Sequence, residues 1–229
     1  MTLSIIIPVL NEAVSIVSSL AALSALRQAG AEVIVADGGS ADDTVALAGP
    51  LADQVIAAPR GRGAQMNVGA AVAKGETLLF LHSDTRLPVA AAGLIADGLA
   101  ASARAWGRFD IAITGTHPFL PVIAATINWR SRLTGIATGD QAMFVTRKAF
   151  NRAGGFPDIP LMEDIALSRA LKTLSPPLCL SQRTTTSGRR WEKNGVIRTI
   201  LLMWRLRLSY WLGADPEKLA RRYGYAPRA

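Results

Sequence analysis

The stretch Thr77-Leu78-Leu79-Phe80-Leu81-His82-Ser83-Asp84-Thr85-Arg86-Leu87-Pro88 limits the choice of fold more than any other part of the chain. Its apolar half does not alternate with polar residues, so it reads as a parallel strand buried on both faces. It then breaks off at a lone carboxylate and is closed by Pro88. In open α/β sheets ligands bind just outside the carboxyl ends of such strands, which puts Asp84 at the rim of a site. Two readings of that residue stand side by side. It suits a divalent cation, because Mg²⁺ and Mn²⁺ take oxygen ligands and are commonly held by one or two carboxylates plus substrate phosphates. It equally suits the cap of a following helix that begins near Pro88 and carries Ala90 to Leu99.

Three further apolar segments precede this one. Ser4 to Leu10 is β-branched and apolar, and it is followed by Asn11-Glu12 and a helical stretch from Ala13 to Gln28 that Gly30 closes. Glu32 to Ala36 is a second buried strand, stopping at Asp37-Gly38-Gly39-Ser40 before Asp42-Asp43-Thr44 opens a short helix. Gln54 to Ala57 is a third, leading into Pro59-Arg60-Gly61-Arg62-Gly63 and a small-residue helix from Ala64 to Ala73. Four strands alternating with helices predict a parallel, doubly wound nucleotide-binding half with right-handed crossovers. Beyond a helix over Ala90 to Ala101 the pattern changes. Trp106 to Ile113 alternates as a strand, Pro121 to Leu133 reads as a helix, and Gln141 to Thr146 reads as a strand after the turn Thr138-Gly139-Asp140. Gly154-Gly155-Phe156-Pro157 and Pro160-Leu161-Met162-Glu163-Asp164 then lead to a helix over Ile165 to Leu174. This second half is expected to be mixed and to carry a second substrate.

The chain has 229 residues and no long linker or low-complexity tract, so a single α/β domain is expected. Its parts are a donor half over 1–104, an acceptor half over 105–190 and basic amphipathic helices over 191–229. No stretch approaches the roughly 18 apolar residues of a membrane span. The first residues lack a basic flank, and their apolar run is broken by Pro8, Asn11 and Glu12, so a signal peptide is not expected and the cytoplasm is. Cys179 is the only cysteine, which excludes an internal disulfide. The net charge of +8 calls for an anionic partner. Basic residues thicken beside Trp191, Trp204, Tyr210 and Trp211 without forming a nucleic-acid module, so no nucleic acid is expected. In the helix over Gly195 to Leu212 a stripe of Arg198, Arg205 and Ser209 leaves the apolar residues spread over the remaining surface. A helix packed on the domain is the expected reading, with a membrane-surface helix as its rival. Asp215-Pro216-Glu217 reads as an N-cap with Pro at the first helical position.

A carboxylate at Asp37, among glycines that allow close approach, can accept hydrogen bonds from a base or a ribose. Alone, Asp-Gly is a turn more often than a ligand. It stands, however, with Ile7-Pro8-Val9-Leu10-Asn11-Glu12, Arg60-Gly61-Arg62-Gly63, Asn67 and His82-Ser83-Asp84. This run closely resembles the donor half of family 2 glycosyltransferases, which have the GT-A fold, a doubly wound Rossmann-like sheet with a mixed acceptor half. The resemblance implies that Pro8 and Glu12 border the nucleoside, that Asp37 contacts base or ribose, and that Arg60, Arg62, Asn67 and Ser83 approach the donor. Asp84 matches the metal-binding Asp of the family's DxD motif, and the implied cofactor is Mn²⁺ or Mg²⁺. His82 stands at the motif's first position in place of Asp, either as a second ligand or as packing for the strand end.

The acceptor half resembles the family too. Gly139-Asp140-Gln141, Gly154-Gly155-Phe156 and Glu163-Asp164 match the order of its later motifs, which implies Asp140 and Gln141 near the acceptor and Asp164 as general base, with Glu163 as competitor. The acceptor hydroxyl attacks only as its proton leaves, so a carboxylate has to lie within hydrogen-bond reach. A bare helix cap is the other use of that pair. Arg189-Arg190-Trp191 resembles the Arg-Trp end of a motif of processive members, whose preceding Gln is absent. This implies single transfer, with Arg190 on the diphosphate and Trp191 beside the acceptor. At finer grain His82-Ser83-Asp84-Thr85 and the Arg-Arg-Trp-Glu-Lys-Asn-Gly stretch look like a compact bacterial subgroup labelled as radical-SAM and selenodomain-associated or arsenosugar-related. The combined expectation is an inverting transfer of one sugar from a nucleotide diphosphate, uridine-linked, to a hydroxyl acceptor. That acceptor is lipid or lipid-linked if the C-terminal helices meet the inner membrane face. A sugar nucleotidyltransferase of similar fold would want a Gly-rich basic signature after the first strand, which Pro8 to Glu12 does not supply. A non-catalytic peripheral membrane module is the third possibility.

Overall fold

The computed structural model describes residues 2–225. Its first half runs β1 (Leu3–Val9), α1 (Ala13–Ala21), α2 (Ser24–Gln28), β2 (Glu32–Asp37), α3 (Thr44–Ala48), β3 (Gln54–Ala57), α4 (Arg62–Val72), β4 (Thr77–Phe80), β5 (Thr85–Arg86) and α5 (Ala91–Ala100). The remainder is β6 (Trp106–Thr114), α6 (Leu120–Thr134), a 3-10 turn Gly139–Gln141, β7 (Phe144–Thr146), α7 (Arg147–Ala153), α8 (Glu163–Lys172), β8 (Leu178–Ser187), α9 (Arg189–Asn194), α10 (Val196–Trp211) and α11 (Pro216–Tyr223). All strands belong to one sheet in the order β3-β2-β1-β4-β7-β6-β8-β5. The first four are mutually parallel, whereas β7 is antiparallel to both β4 and β6, and β8 is parallel to β6. A parallel first half and a mixed second half are thus both present.

Side chains alternate across a strand, so a strand buried on both faces splits its residues between two cores. Ile5 and Ile7, Val33 and Val35, and Leu79 and Leu81 pack with Ile16, Leu20 and Ile95 on one side. Ile6, Ile34, Leu78 and Phe80 pack with Met66, Phe150 and Leu171 on the other. This is why these strands are written as unbroken apolar runs. Helix α4 lies close enough to β1 that a Cβ on Gly69 would run into Ile6.

The short link between β4 and β5 bends the whole sheet. Phe80 and Thr85 are joined by only Leu81 to Asp84, a span of at most about 17 Å, yet their strands are separated by β7, β6 and β8. On a flat sheet that separation alone is about 19 Å. The sheet therefore curls, and His82-Ser83-Asp84 is the strap that closes it.

Several elements depart from the expected ones. The helix expected over 13–28 breaks at Ala22-Leu23 into α1 and α2. Ser18 and Ser19 in its first part donate to the carbonyl of Ser15, an alternative to helical pairing that weakens continuation. The strand expected from Gln141 starts only at Phe144, because Ala142 takes a left-handed conformation after the 3-10 turn. Strand β8 was not anticipated. Its Thr-rich run lacks clean alternation, and its pairing with β6 shifts between Phe109 and Asp110 so that Leu180 and Arg183 face consecutive residues. The N-cap expected at Asp215 is present, its carboxylate accepting from the Glu217 N–H at 2.9 Å.

Helix α10 packs on the domain through Val196, Thr199 and Leu206. Its opposite stripe, Ile197, Leu201, Trp204, Leu208 and Trp211, is exposed, with Trp204 and Trp211 each at 69%. Helix α6 likewise exposes Val122, Trp129 and Leu133. Among the described residues no helix is long and apolar enough to cross a membrane.

Candidate active site

Two cavities adjoin where the strap closes the curl. The first, of about 390 Å³, is floored by the carboxyl end of β1 and lined by Pro8, Glu12, Arg60, Arg62, Ser83, Asp84 and Arg190. The second, of about 330 Å³, lies between α6 and α10 and is lined by Asp140, Asp164, Trp191, Trp204, Arg207 and Tyr223 among others. Arg62 and His82 line both, so they form the shared wall.

Each wall residue is held by a carboxylate. Arg62 Nε pairs with Glu163 Oε1 at 3.0 Å, and Glu163 is buried behind it. His82 Nδ1 pairs with Asp140 Oδ1 at 3.3 Å, while the imidazole edge bearing Nε2 packs on Gly139, where a Cβ would collide with it. Burial opposes charging of His82 most strongly, and the Asp140 hydrogen bond together with the charges of Asp140 and Asp84 outweighs it, so its pKa is raised above 6.5. For Asp140 burial acts upward most strongly, and the His82 hydrogen bond and charge, with the charges of Arg62 and Arg207, together outweigh it, leaving its pKa below 3.8. A raised histidine value gives stability that is complete below the unfolded value and lost as pH rises through the folded one. A lowered aspartate value gives stability lost as pH falls through its folded value. The pair is therefore expected to stabilise the fold most between about pH 4 and 6.5. Urea midpoints should fall from about pH 6 to about pH 9, and His82→Asn should flatten that decline.

Asp84 is exposed at the mouth of the first cavity. Burial of its carboxyl, and after it the charges of Asp140 and Glu12, raise its pKa despite His82. Glu12 and Asp84 both line this cavity, and a rim carboxylate of this kind fits one position on a divalent cation. Among the described residues no group of three His, Cys, Asp or Glu side chains could hold a metal. A cation at Asp84 would therefore share its coordination with donor phosphates. His82 fits less well as a ligand, since Asp140 takes one nitrogen and Gly139 packs against the other.

Asp164 sits at the start of α8, where its carboxylate accepts from the N–H groups of Gly139 at 3.0 Å and Ile165 at 2.7 Å. Met162, just ahead, is left-handed with φ 71°, a conformation costing on the order of 1 kcal/mol or more for a non-glycine residue. Directly after this turn Glu163 is buried and Asp164 lines the second cavity.

Four expected residues stand outside both cavities. The Asp37 carboxylate accepts from the N–H groups of Gly39 and Ser40, each at 3.0 Å, and so builds its own turn. Gln141 is buried and ties the 3-10 turn, its Oε1 accepting from Thr138 N–H at 3.1 Å. Glu163 anchors Arg62. Asn67 braces the loop before α8, donating to the Phe156 carbonyl at 2.8 Å and accepting from its N–H at 2.9 Å. Asn67→Ala is expected to cost about 1–3 kcal/mol in denaturant unfolding, with nucleotide affinity nearly unchanged.

Sequence reading overlooked Gln65, whose Nε2 donates to the carbonyls of Val9 at 2.7 Å and Ala36 at 2.8 Å beneath the first cavity. Its signal was a second amide, two residues before Asn67, in a small-residue helix. It also overlooked Tyr223 and Tyr225, on which the guanidiniums of Arg190 and Arg62 stack, and these have no motif signal. Arg190 faces the first cavity and Trp191 the second, as neighbours on one short helix.

The sequence model of glycosyl transferase family 2 matches residues 4–153. The chain belongs to that family. The match spans Asp37, Asp84 and Asp140 and stops before Asp164 and Arg190. None of the curated proteins compared with the chain matches it. Among solved structures, Staphylococcus aureus TarS 1-349 in complex with UDP-GlcNAc superposes with a TM-score of 0.65 at 18% identity, over 82% of this chain and 58% of that one. Mycobacterium tuberculosis glucosyl-3-phosphoglycerate synthase, with Mn²⁺, UDP and glucosyl-3-phosphoglycerate, gives 0.60 at 20% identity, over 81% of this chain and 70% of that one. The family 2 chain described here thus has the GT-A fold of these glycosyltransferases and spans little more than half of the TarS fragment's length.

Proposed function

We propose that this single domain transfers one sugar from a nucleotide diphosphate donor, UDP-linked, in the first cavity to a hydroxyl acceptor in the second. The observation that carries this is the shared wall of Arg62 and His82, with Asp84 on one side and Asp164 on the other. Residues 1–104 hold the donor and 105–190 most of the acceptor surface. Pro8 and Glu12 border the nucleoside, and Arg60, Arg62, Ser83 and Arg190 orient the diphosphate. A Mn²⁺ or Mg²⁺ ion at Asp84 would offset charge on the departing diphosphate. Asp164 takes the acceptor's proton, and a base in one cavity with the leaving group in the next supports a single, inverting displacement. Asp37 and Asn67 support this machinery by shaping its loops, and Asp140 with Gln141 by fixing His82 and the turn beneath the acceptor.

The exposed apolar stripes of α6 and α10 flank the second cavity, which favours a lipid or lipid-linked acceptor and a peripheral position on the cytoplasmic membrane face. Each basic residue at an anionic surface adds about 1 kcal/mol, so flotation with anionic vesicles should be strong in low salt and lost in high salt. A chain that never floats removes the membrane reading. Membership of the compact bacterial subgroup rests on the sequence stretches alone and names no acceptor.

The deciding assay follows UDP release from UDP-glucose and UDP-GlcNAc with and without Mn²⁺. Metal-dependent release is expected. Pyrophosphate release from UTP and a sugar 1-phosphate would instead favour a nucleotidyltransferase, and no turnover with retained vesicle binding would favour a non-catalytic module.

A further inference from the structure

The walls of the second cavity carry a charge pattern that transfer to a neutral alcohol leaves unexplained. On α10, Ile200, Met203, Trp204 and Arg207 face the cavity, spaced as one stripe of a helix. On α6, Ile123, Thr126 and Ile127 face it, and Arg130 is the next residue of that stripe. The α10 wall therefore runs from apolar to basic, and Arg130 adds a second guanidinium just past the α6 residues that line the cavity. The charge of Asp164 acts on both guanidinium groups.

These arginines are short of partners. Nε and Nη2 of Arg130 and Nε of Arg207 are buried with no hydrogen-bond partner among the described residues. The ion pairs of those residues involve Arg27, Arg62, His82, Arg108 and Arg132 instead. A buried donor left unmade costs about 1–3 kcal/mol, and more on a charged group. Burial pulls Arg130 down to about 10, and the like charge of Arg207 adds to that. Asp164 already accepts two backbone N–H groups, and Asp140, whose charge also reaches Arg207, is paired with His82, so neither carboxylate supplies the missing hydrogen bonds.

We propose that the acceptor is an amphiphile bearing an oxyanion, a phosphate monoester or a carboxylate, which Arg207 and Arg130 hold beside its accepting oxygen while its apolar part lies along α6 and α10. The inference rests on reading this cavity as the acceptor site. A guanidinium fork matches the paired oxygens of either anion. An anion there supplies partners for the orphaned N–H groups and relieves the repulsion between the two arginines.

Tryptophan fluorescence of the full chain, with Trp191 and Trp204 lining the cavity, reports the binding of octyl phosphate, octanoate and octanol. At least one anion is expected to bind about 10-fold or more tightly than octanol, the scale of a charge-assisted hydrogen bond. UDP should not displace it. Arg207→Gln should abolish the preference and Arg207→Lys restore part of it, and the tighter anion identifies the headgroup. Equal binding of all three probes, or an unchanged preference in Arg207→Gln, overturns the proposal. Displacement by UDP overturns it too, by assigning the arginines to the donor. Should Arg207→Gln fail to fold, the comparison of probes on the unaltered chain decides. No sugar transfer is read in this assay, so anion selectivity without turnover would count against the proposed transfer and not against this site.

Discussion

Asp164→Asn is expected to lower sugar transfer by about 10²–10⁴-fold, the range for a lost general base, while the donor dissociation constant stays within a factor of about two. The carboxylate is fixed by two backbone N–H groups at the head of α8 and opens on the second cavity. An amide of the same shape cannot accept the acceptor's proton, and it keeps only one of the two backbone N–H bonds because its NH2 end cannot accept the other. Glu163 gives the contrast. It is buried, pairs with Arg62 and lines neither cavity, so Glu163→Gln should weaken donor binding or stability and leave proton transfer intact. Steady-state rates for both variants, with donor affinities alongside, separate the roles. Loss of transfer in Glu163→Gln with retention in Asp164→Asn would reverse the assignment.

Asp84→Asn should cost about 10²–10³-fold in turnover, the usual loss when one group stabilising a leaving charge is removed. Stability should change by no more than about 0.5 kcal/mol, because an exposed rim residue contributes little to the core. Titration of UDP with and without Mn²⁺ checks it: the metal should tighten binding to the unaltered chain and have little effect on the variant. Because burial and the charges of Asp140 and Glu12 raise its pKa above 3.8, metal-dependent binding should fade as pH falls through that raised value. Near-normal turnover of Asp84→Asn in Mn²⁺ would sink the assignment.

The donor half was legible because burial on both faces leaves an unmistakable trace. The runs at Ile5 to Ile7, Val33 to Val35 and Leu78 to Phe80 have few other uses than a doubly covered sheet. The strand ends followed, and with them Asp84, Arg62 and Glu12 at the first cavity. Asp37 and Asn67 show the limit of that reasoning. A motif position states that a residue matters and not whether it touches a ligand or the loop that does. In the acceptor half, β8 lies beside a strand far away in the chain and across a register shift, so its polar run carried no local signature. Arg207 was visible as a basic residue, but its meaning depends on the neighbouring charge of Arg130 on α6, and no sequence period relates two helices so distant.

The curl of the sheet also sets an order of assembly. Strand β5 has one neighbour, β8, and its Thr85 meets Thr186 across a separation of 101 residues. Contacts so distant form late, after local pairing has lowered the entropy of closure. A chain emerging from the ribosome can thus complete β1 to β4 while the strap bearing His82 and Asp84 still has nothing to close against. The floor of the first cavity ripens early, and the rim bearing Asp84 waits for Thr186, so a chain cut before β8 should keep a recognisable parallel sheet and lack the geometry that makes it an enzyme.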